Sequence, residues 1–106
     1  MAHRSPKDEL VAFLDRKAFD PVLHAKPSDV PQGKRAALED VQRATDAERE
    51  RYHRYGSADE VIRMFEDDLN SEPAKKVHRK LSELGLPTLN DLRAEFEALA
   101  ERLDVG

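Results

Sequence analysis

The chain has 106 residues, carries a formal net charge of −4 at pH 7 and contains no cysteine. Its length fits one domain over residues 1–106, and the missing cysteine excludes disulfides, thiol catalysis and cysteine-ligated metals. The longest fully apolar run covers only residues 10–14, so the sequence predicts neither a membrane span nor a signal-peptide core, and the cytoplasm is the expected compartment. An excess of arginine over lysine, 11 to 7, suggests a GC-rich bacterial genome.

Charged residues make up 38% of the chain, which is well above the usual quarter or so. The apolar residues must therefore be concentrated on narrow faces of the folded chain. The acidic balance argues against a nucleic-acid partner, because domains that bind nucleic acids are usually basic.

The first predicted helix covers about residues 6–18. Ser5 is a typical N-cap, Pro6 suits the first turn, and Asp8 follows three residues after the cap. The helical spacing of the apolar residues after it indicates one buried face. That predicted face consists of Leu10, Val11, Leu14 and Ala18.

Residues 19–33 interrupt the helical pattern. They contain three prolines and end on Gly33, and each proline disfavours helix in the residue before it. The sequence therefore predicts a loop over 19–33, with one short turn at Asp20 and Pro21 that points apolar residues inward.

The second predicted helix, over residues 34–55, is the longest. It is followed by Gly56, which favours a left-handed cap. Its inward stripe has helical spacing but polar residues in the middle, and a helix this polar usually needs neighbours or many ion pairs. The stripe is formed by Leu38, Val41, Thr45, Glu48, Tyr52 and Tyr55.

Three shorter helices complete the predicted bundle. Ser57 and Glu60 predict the start of the first by a capping box. Gly85 predicts a Schellman end for the second, and Thr88 with Asp91 predicts the start of the last. The expected fold is therefore all-α, a compact bundle of about five helices. The three helices cover about residues 58–69, 73–84 and 89–103.

No catalytic residue, cofactor or metal site is predicted. Four scattered glycines cannot form a phosphate cradle. The acidic run 66–72 partly matches a calcium loop, but Pro73 occupies the position of the required glycine and Arg79 that of the bidentate glutamate. Glu50 and His53 form one Glu-x-x-His pair, which supplies too few ligands for a metal.

The end of the second helix combines cations with aromatic side chains. Residues 43–54 contain only three apolar residues, so this part of the helix needs a neighbour. The leading hypothesis is therefore a small non-enzymatic module that binds a protein partner or itself. The candidate interaction surface consists of Arg49, Arg51, Tyr52, His53, Arg54 and Tyr55.

Two alternatives stay open. Cations beside aromatic rings also hold single-stranded nucleic acid, which makes a nucleic-acid accessory role the second hypothesis. Against it, Tyr52 and Tyr55 lie on the inward stripe, which favours a place in the core. The third hypothesis is a small ligand binder or enzyme built on the 19–33 loop, because long loops often carry function. Its polar candidates are His24, Lys26 and Asp29.

Overall fold

Helices dominate residues 5–103, the part of the chain that the computed structural model describes. In chain order these helices are α1 (residues 6–23), α2 (Arg35–Arg54), α3 (Ala58–Asn70), α4 (Glu72–Glu83) and α5 (Arg93–Arg102). No strand occurs within 5–103, so the predicted all-α class with five helices is confirmed. As predicted, α2 is the longest helix, with 20 residues. None of the described helices combines the length and apolar character needed to cross a membrane.

The first helix is longer than predicted. It consists of the α-helix Pro6–Leu14, a π-helical segment at Asp15–Phe19 and the α-helix Asp20–Leu23. The prediction of a loop from residue 19 is therefore wrong, and the connection to α2 covers only residues 24–34. Within this connection, Pro27–Asp29 forms a 3-10 turn.

The π-helical segment explains why α1 does not stop at residue 18. Four of the buried residues of α1 recur every four positions, whereas an α-helical turn takes 3.6 residues, so this repeat would drift around a regular helix. The π-helical turn, closed by the Asp20 N–H and the Asp15 carbonyl, holds one extra residue and keeps the repeat on one face. Pro21, which has no N–H to donate, falls in the first turn after it. The repeat is formed by Leu10, Leu14, Ala18 and Val22.

The end of α1 is tied to α2 by a side chain. The amide nitrogen of Gln42 donates to the carbonyls of Val22, at 3.1 Å, and Ala25, at 2.9 Å. The Val22 carbonyl also accepts the Ala25 N–H at 3.2 Å, so Gln42 adds a side-chain donor to the turn that ends α1 and fixes this turn to α2. Gly33, at a φ of +89°, then turns the chain towards α2 in a conformation that favours glycine.

Helix ends follow the predicted caps with one exception. The hydroxyls of Ser5 and Ser57 accept the N–H groups of Asp8 and Glu60, each at 3.2 Å. Gly85 has a φ of +75° and ends α4 in the predicted Schellman motif, closed by the Leu86 N–H and the Leu81 carbonyl at 2.9 Å. The reciprocal bonds of Thr88 and Asp91 start a 3-10 turn, Asn90–Leu92, that leads into α5.

The exception is Gly56, for which the predicted left-handed cap is wrong. Among the glycines within residues 5–103, only Gly33 and Gly85 have positive φ values. The chain leaves α2 in an extended conformation at Tyr55, with a ψ of 143°, and Ser57 is extended as well. Because α3 begins directly after Ser57, the chain has no room for a left-handed turn and continues straight into the next N-cap.

Two clusters of buried side chains form the interior, and α2 passes through both. The large core joins α1, α3 and α5 with the end of α2, and in it the rings of Phe65 and Phe96 stack at 4.0 Å. The small core joins the end of α1, the start of α2 and α4. Between the two, α2 presents the polar residues Thr45 and Glu48 to the interior. The small core consists of Val22, Val30, Leu38, Val41, Leu81 and Leu84.

Candidate functional site

Tyr52, one of the six residues of the candidate surface, is completely buried. Its ring packs against Phe19 with a centroid distance of 5.7 Å, and its hydroxyl donates to Asp68 Oδ2 at 2.7 Å. Burial, followed by the negative charge of Asp68, raises the pKa of Tyr52 above its ordinary value, so the phenol keeps its proton. Tyr55 is half-buried and packs edge-on against Tyr52 at 5.2 Å. These two rings are therefore part of the interior, and the Tyr52 side chain is not accessible to a partner.

Arg49 and His53 both contact α1. The carboxylate of Asp15, in the π-helical segment, lies 3.4 Å from Arg49 Nε and 2.8 Å from His53 Nε2. The ammonium group of Lys7 donates to the His53 carbonyl at 3.0 Å. These contacts hold the end of α2 against α1. Arg49 and His53 therefore have a structural role, whether or not their exposed parts also bind a partner.

Arg54 and Arg51 remain at the surface. Arg54 is largely exposed and lies 3.7 Å from Glu50 on the same helix. Arg51 is 48% exposed, and its Nη2 donates to Asp68 Oδ2 at 2.8 Å. Of the predicted surface, the exposed part is therefore formed by Arg51, His53 and Arg54.

Asp68 is a key residue of the site, and the sequence marked it only as part of the acidic run 66–72. Its residue surface is only 6% exposed, because it follows Val61 and Phe65 on the face of α3 that packs inward. The sequence contained a signal for this position, since spacings of four and three residues continue the stripe onto Asp68. Leu69 follows Phe65 at a spacing of four residues and is half-buried.

Glu48 lies beside Asp68, and its side chain is 17% exposed. Burial, with the charge of Asp68 as the second cause, raises the pKa of Glu48 from 4.5 to about 8, and Arg51 only partly opposes this. At neutral pH Glu48 is therefore mostly protonated, and its carboxyl group can donate a hydrogen bond to Asp68. Two carboxyl groups that share one proton at the edge of a core are typical of binding or catalytic sites.

A groove of about 380 Å³ between α2 and α4 opens onto this acidic pair. Arg51 lines it on the α2 side and His78 on the α4 side. His78 is half-buried, and burial lowers its pKa against the opposing pull of Asp68 and Asp91. Glu48 also borders a second space of about 10 Å³ between α1, α2 and α4, which is too small for a ligand. Ser71 and small or short apolar side chains complete the lining: Ala44, Ala47, Pro73, Ala74 and Val77.

The polar candidates of the predicted loop are not brought together. Asp29 accepts the N–H of Lys26 at 2.8 Å, which is a local turn contact. His24 is exposed at the end of α1. A depression of about 430 Å³ adjoins residues 27–35, but none of the three candidates lines it. The hypothesis of a ligand site built on these residues gains no support from their placement.

Metal ligands are not clustered in the described part of the chain. Within 5–103, no three histidine, aspartate or glutamate side chains are placed so that they could hold one ion. Glu50 and His53, the Glu-x-x-His pair, point to different partners, Arg54 and Asp15.

The arrangement that stands out is thus an acidic pair, Glu48 and Asp68, with one guanidinium, at the base of a groove between α2 and α4. Comparison with protein families, with characterised proteins and with solved structures finds no match to this chain.

Proposed function

We propose that the protein is a small, non-enzymatic helical module that binds a protein partner through the groove between α2 and α4. The observation that carries this proposal is the uneven packing of α2. Its start lies in the small core through Leu38 and Val41, and its end lies in the large core through Tyr52. Between them Ala47 is exposed and Ala44 is half-buried beside the groove, so the middle of this polar helix has a small apolar surface open to solvent.

The lining of the groove favours a protein segment over an enclosed small molecule. Small-molecule sites are mostly apolar and concave, with large hydrophobic side chains around the ligand. Here the side chains of Ala44, Ala47 and Ala74 are too short to surround a ligand. They do allow the backbone of another segment to come close to α2 and α4, because the distance between packed elements depends on the side chains at the contact.

A nucleic-acid accessory role receives less support. Stacking on bases requires an accessible aromatic face, and Tyr52 is buried while Tyr55 packs against it. Arg49 and Arg51 are engaged by Asp15 and Asp68, which lowers the positive charge available for phosphates.

Affinity purification from the native host tests the proposal with a matched pair of variants. Ala47→Phe fills the groove, and Ala36→Phe adds the same ring at an exposed position of the same helix outside it. We expect the wild-type protein and Ala36→Phe to retrieve the same protein, and Ala47→Phe to lose it. Circular dichroism and thermal unfolding of both variants check that the fold is intact.

Retrieval of the same proteins by all three forms, or of none by any form, would contradict the proposal. Light scattering over a range of concentrations distinguishes the alternative of self-association. In that case the wild-type protein and Ala36→Phe form dimers or larger species, and a folded Ala47→Phe variant stays monomeric.

A further inference from the structure

The junction of α2, α3 and α4 holds two largely buried carboxyl groups beside one guanidinium. Arg51 Nη2 lies 2.8 Å from Asp68 Oδ2 and 3.8 Å from Glu48 Oε1, so it binds Asp68 and only approaches Glu48. Tyr52 donates to the same oxygen of Asp68. Two neighbouring carboxyl groups in a poorly hydrated space are costly to ionise together, because like charges repel and burial removes water from both. The packed form of this junction therefore holds one proton.

In the described part of the chain, the groups around Glu48 include no second cation that could replace this proton. His78 faces the same space from α4, and burial lowers its pKa, so it is neutral at neutral and alkaline pH. The residues of α1 and of the segment 87–89 that border Glu48 carry no titratable group. The titratable or charged groups facing Glu48 are Asp68 from α3, Arg51 and Tyr52 from α2, and His78 from α4.

The weakest attachment at this junction is that of α4. Leu81 is its buried residue, Leu84 follows at the C-cap, and both lie in the small core. Within residues 5–103 no side-chain hydrogen bond or ion pair joins α4 to another helix, and its polar contacts are with its own cap and first turn. By contrast, α3 is tied to α2 through Asp68. A second negative charge at the junction is therefore relieved most easily by movement of α4.

We propose that α4 separates from α2 when Glu48 loses its proton, while α1, α3, α5 and the end of α2 stay packed around the large core. Separation admits water to Glu48, and its proton passes to solvent. Leu81 and Leu84 are the buried side chains that leave the small core, so this opening exposes less apolar surface than global unfolding does. The inference concerns the free protein and does not rest on the proposed function.

The direction of the pH dependence follows from the two states of Glu48. Its pKa is about 8 in the closed state, and hydration in the open state returns it towards the ordinary value of 4.5. The proton therefore stabilises the closed state fully below about pH 4.5, and this contribution is lost as pH rises to about 8. From pH 6 to pH 8 the equilibrium constant for opening should rise at least about tenfold.

Amide hydrogen exchange followed by NMR tests this inference on the wild-type protein. Protection factors, corrected for the intrinsic pH dependence of exchange, report the opening equilibrium at each amide. We expect the Leu81 amide in α4 to lose at least about tenfold in protection between pH 6 and pH 8. At pH 8 its protection should be at least about tenfold below that of the Ala100 amide in α5, because the large core stays closed. Low urea concentrations should accelerate exchange less at Leu81 than at Ala100, because the local opening exposes less surface.

A matched pair of variants identifies the responsible group. In Glu48→Gln the protection of the Leu81 amide should no longer change between pH 6 and pH 8. Glu50→Gln, at an exposed position of the same helix, should behave as the wild-type protein does.

Three results would overturn the inference. The first is equal protection of Leu81 and Ala100 at pH 8, since α4 would then open only with global unfolding. The second is the same pH dependence in Glu48→Gln and the wild-type protein. The third is an ordinary pKa for the Glu48 carboxyl group, measured by carbon NMR of the labelled side chain.

Discussion

The hydroxyl of Tyr52 donates a 2.7 Å hydrogen bond to the buried carboxylate of Asp68 and thereby links α2 to α3 inside the protein. Tyr52 lies in the large core, and Asp68 stands at its edge with Arg51 as its counter-ion. A buried carboxylate is costly unless it is paired and hydrogen-bonded, and this one is both. The polar end of α2 is thus held to the bundle by a buried polar contact as well as by apolar packing.

Removing the Tyr52 hydroxyl should destabilise the protein. In Tyr52→Phe the carboxylate of Asp68 loses one donor while it stays buried, which costs about 1–3 kcal/mol. Chemical denaturation measures the free energy of unfolding. Tyr55→Phe is the matched control, because Tyr55 packs against the same ring and its hydroxyl does not bind Asp68. Equal losses in the two variants would show that the Asp68 hydrogen bond is not the cause.

The stability of the wild-type protein should fall between about pH 4.5 and pH 8 because of Glu48. Its pKa is raised in the folded protein to about 8, so in this range the folded state holds a proton that the unfolded state has released. The free energy of unfolding therefore decreases as pH rises, by about 1.4 kcal/mol for each pH unit at most. Below the unfolded pKa the contribution is fully present, and above pH 8 it is lost.

Glu48→Gln removes this dependence. We expect the variant to be more stable than the wild-type protein at pH 8, by a few kcal/mol at the order-of-magnitude level, with the difference shrinking towards pH 4.5. Urea denaturation at several pH values gives the comparison. Glu50→Gln should follow the wild-type curve, since Glu50 is exposed. A constant difference between Glu48→Gln and the wild type at all pH values would rule out titration of Glu48 as the source.

Deleting Lys17 should be tolerated, although it lies inside a helix. The residue is exposed and belongs to the π-helical segment, which contains one residue more than a regular turn. Its removal brings Leu10, Leu14, Ala18 and Val22 to spacings of three or four residues. A regular α-helix keeps such residues on one face. We expect unchanged helix content by circular dichroism and a loss of stability of about 1 kcal/mol, within the range of ordinary substitutions.

The matched control is deletion of Asp46, an exposed residue in the regular helix α2. This deletion rotates Tyr52 by about 100° relative to Leu38 and removes it from the large core. We expect loss of cooperative thermal unfolding. If both deletions reduce stability equally, the π-helical segment does not contain a residue that α1 can lose without changing its packing.

Local signals predicted most helix boundaries. Ser57, Gly85 and the Thr88–Asp91 pair act on the backbone within a few residues, so their effect can be inferred from neighbours in sequence. Gly56 predicted a left-handed cap in the same way, but this prediction is wrong because Ser57 caps the next helix before a left-handed turn can form.

The candidate site was less accessible to prediction. Glu48 was correctly placed on the inward stripe of α2, but its partner Asp68 sits in an acidic run whose composition indicates solvent. The cation and aromatic cluster at the end of α2 was visible in the sequence. That Arg49 and His53 contact Asp15 depends on how α1 lies against α2, which no local pattern encodes.

The sequence by itself determined the number, order and most ends of the helices, because caps, prolines and 3.6-residue spacing act through the nearest turns of the backbone. Only the tertiary structure decided that α1 continues through a π-helical turn, because Phe19 and Val22 are buried in the two cores by residues distant in sequence. It also decided that Glu48 and Asp68 meet beside a groove. Their encounter depends on the packing of α2, α3 and α4 together, since the burial and charges that give a carboxyl group its properties come from residues distant in sequence.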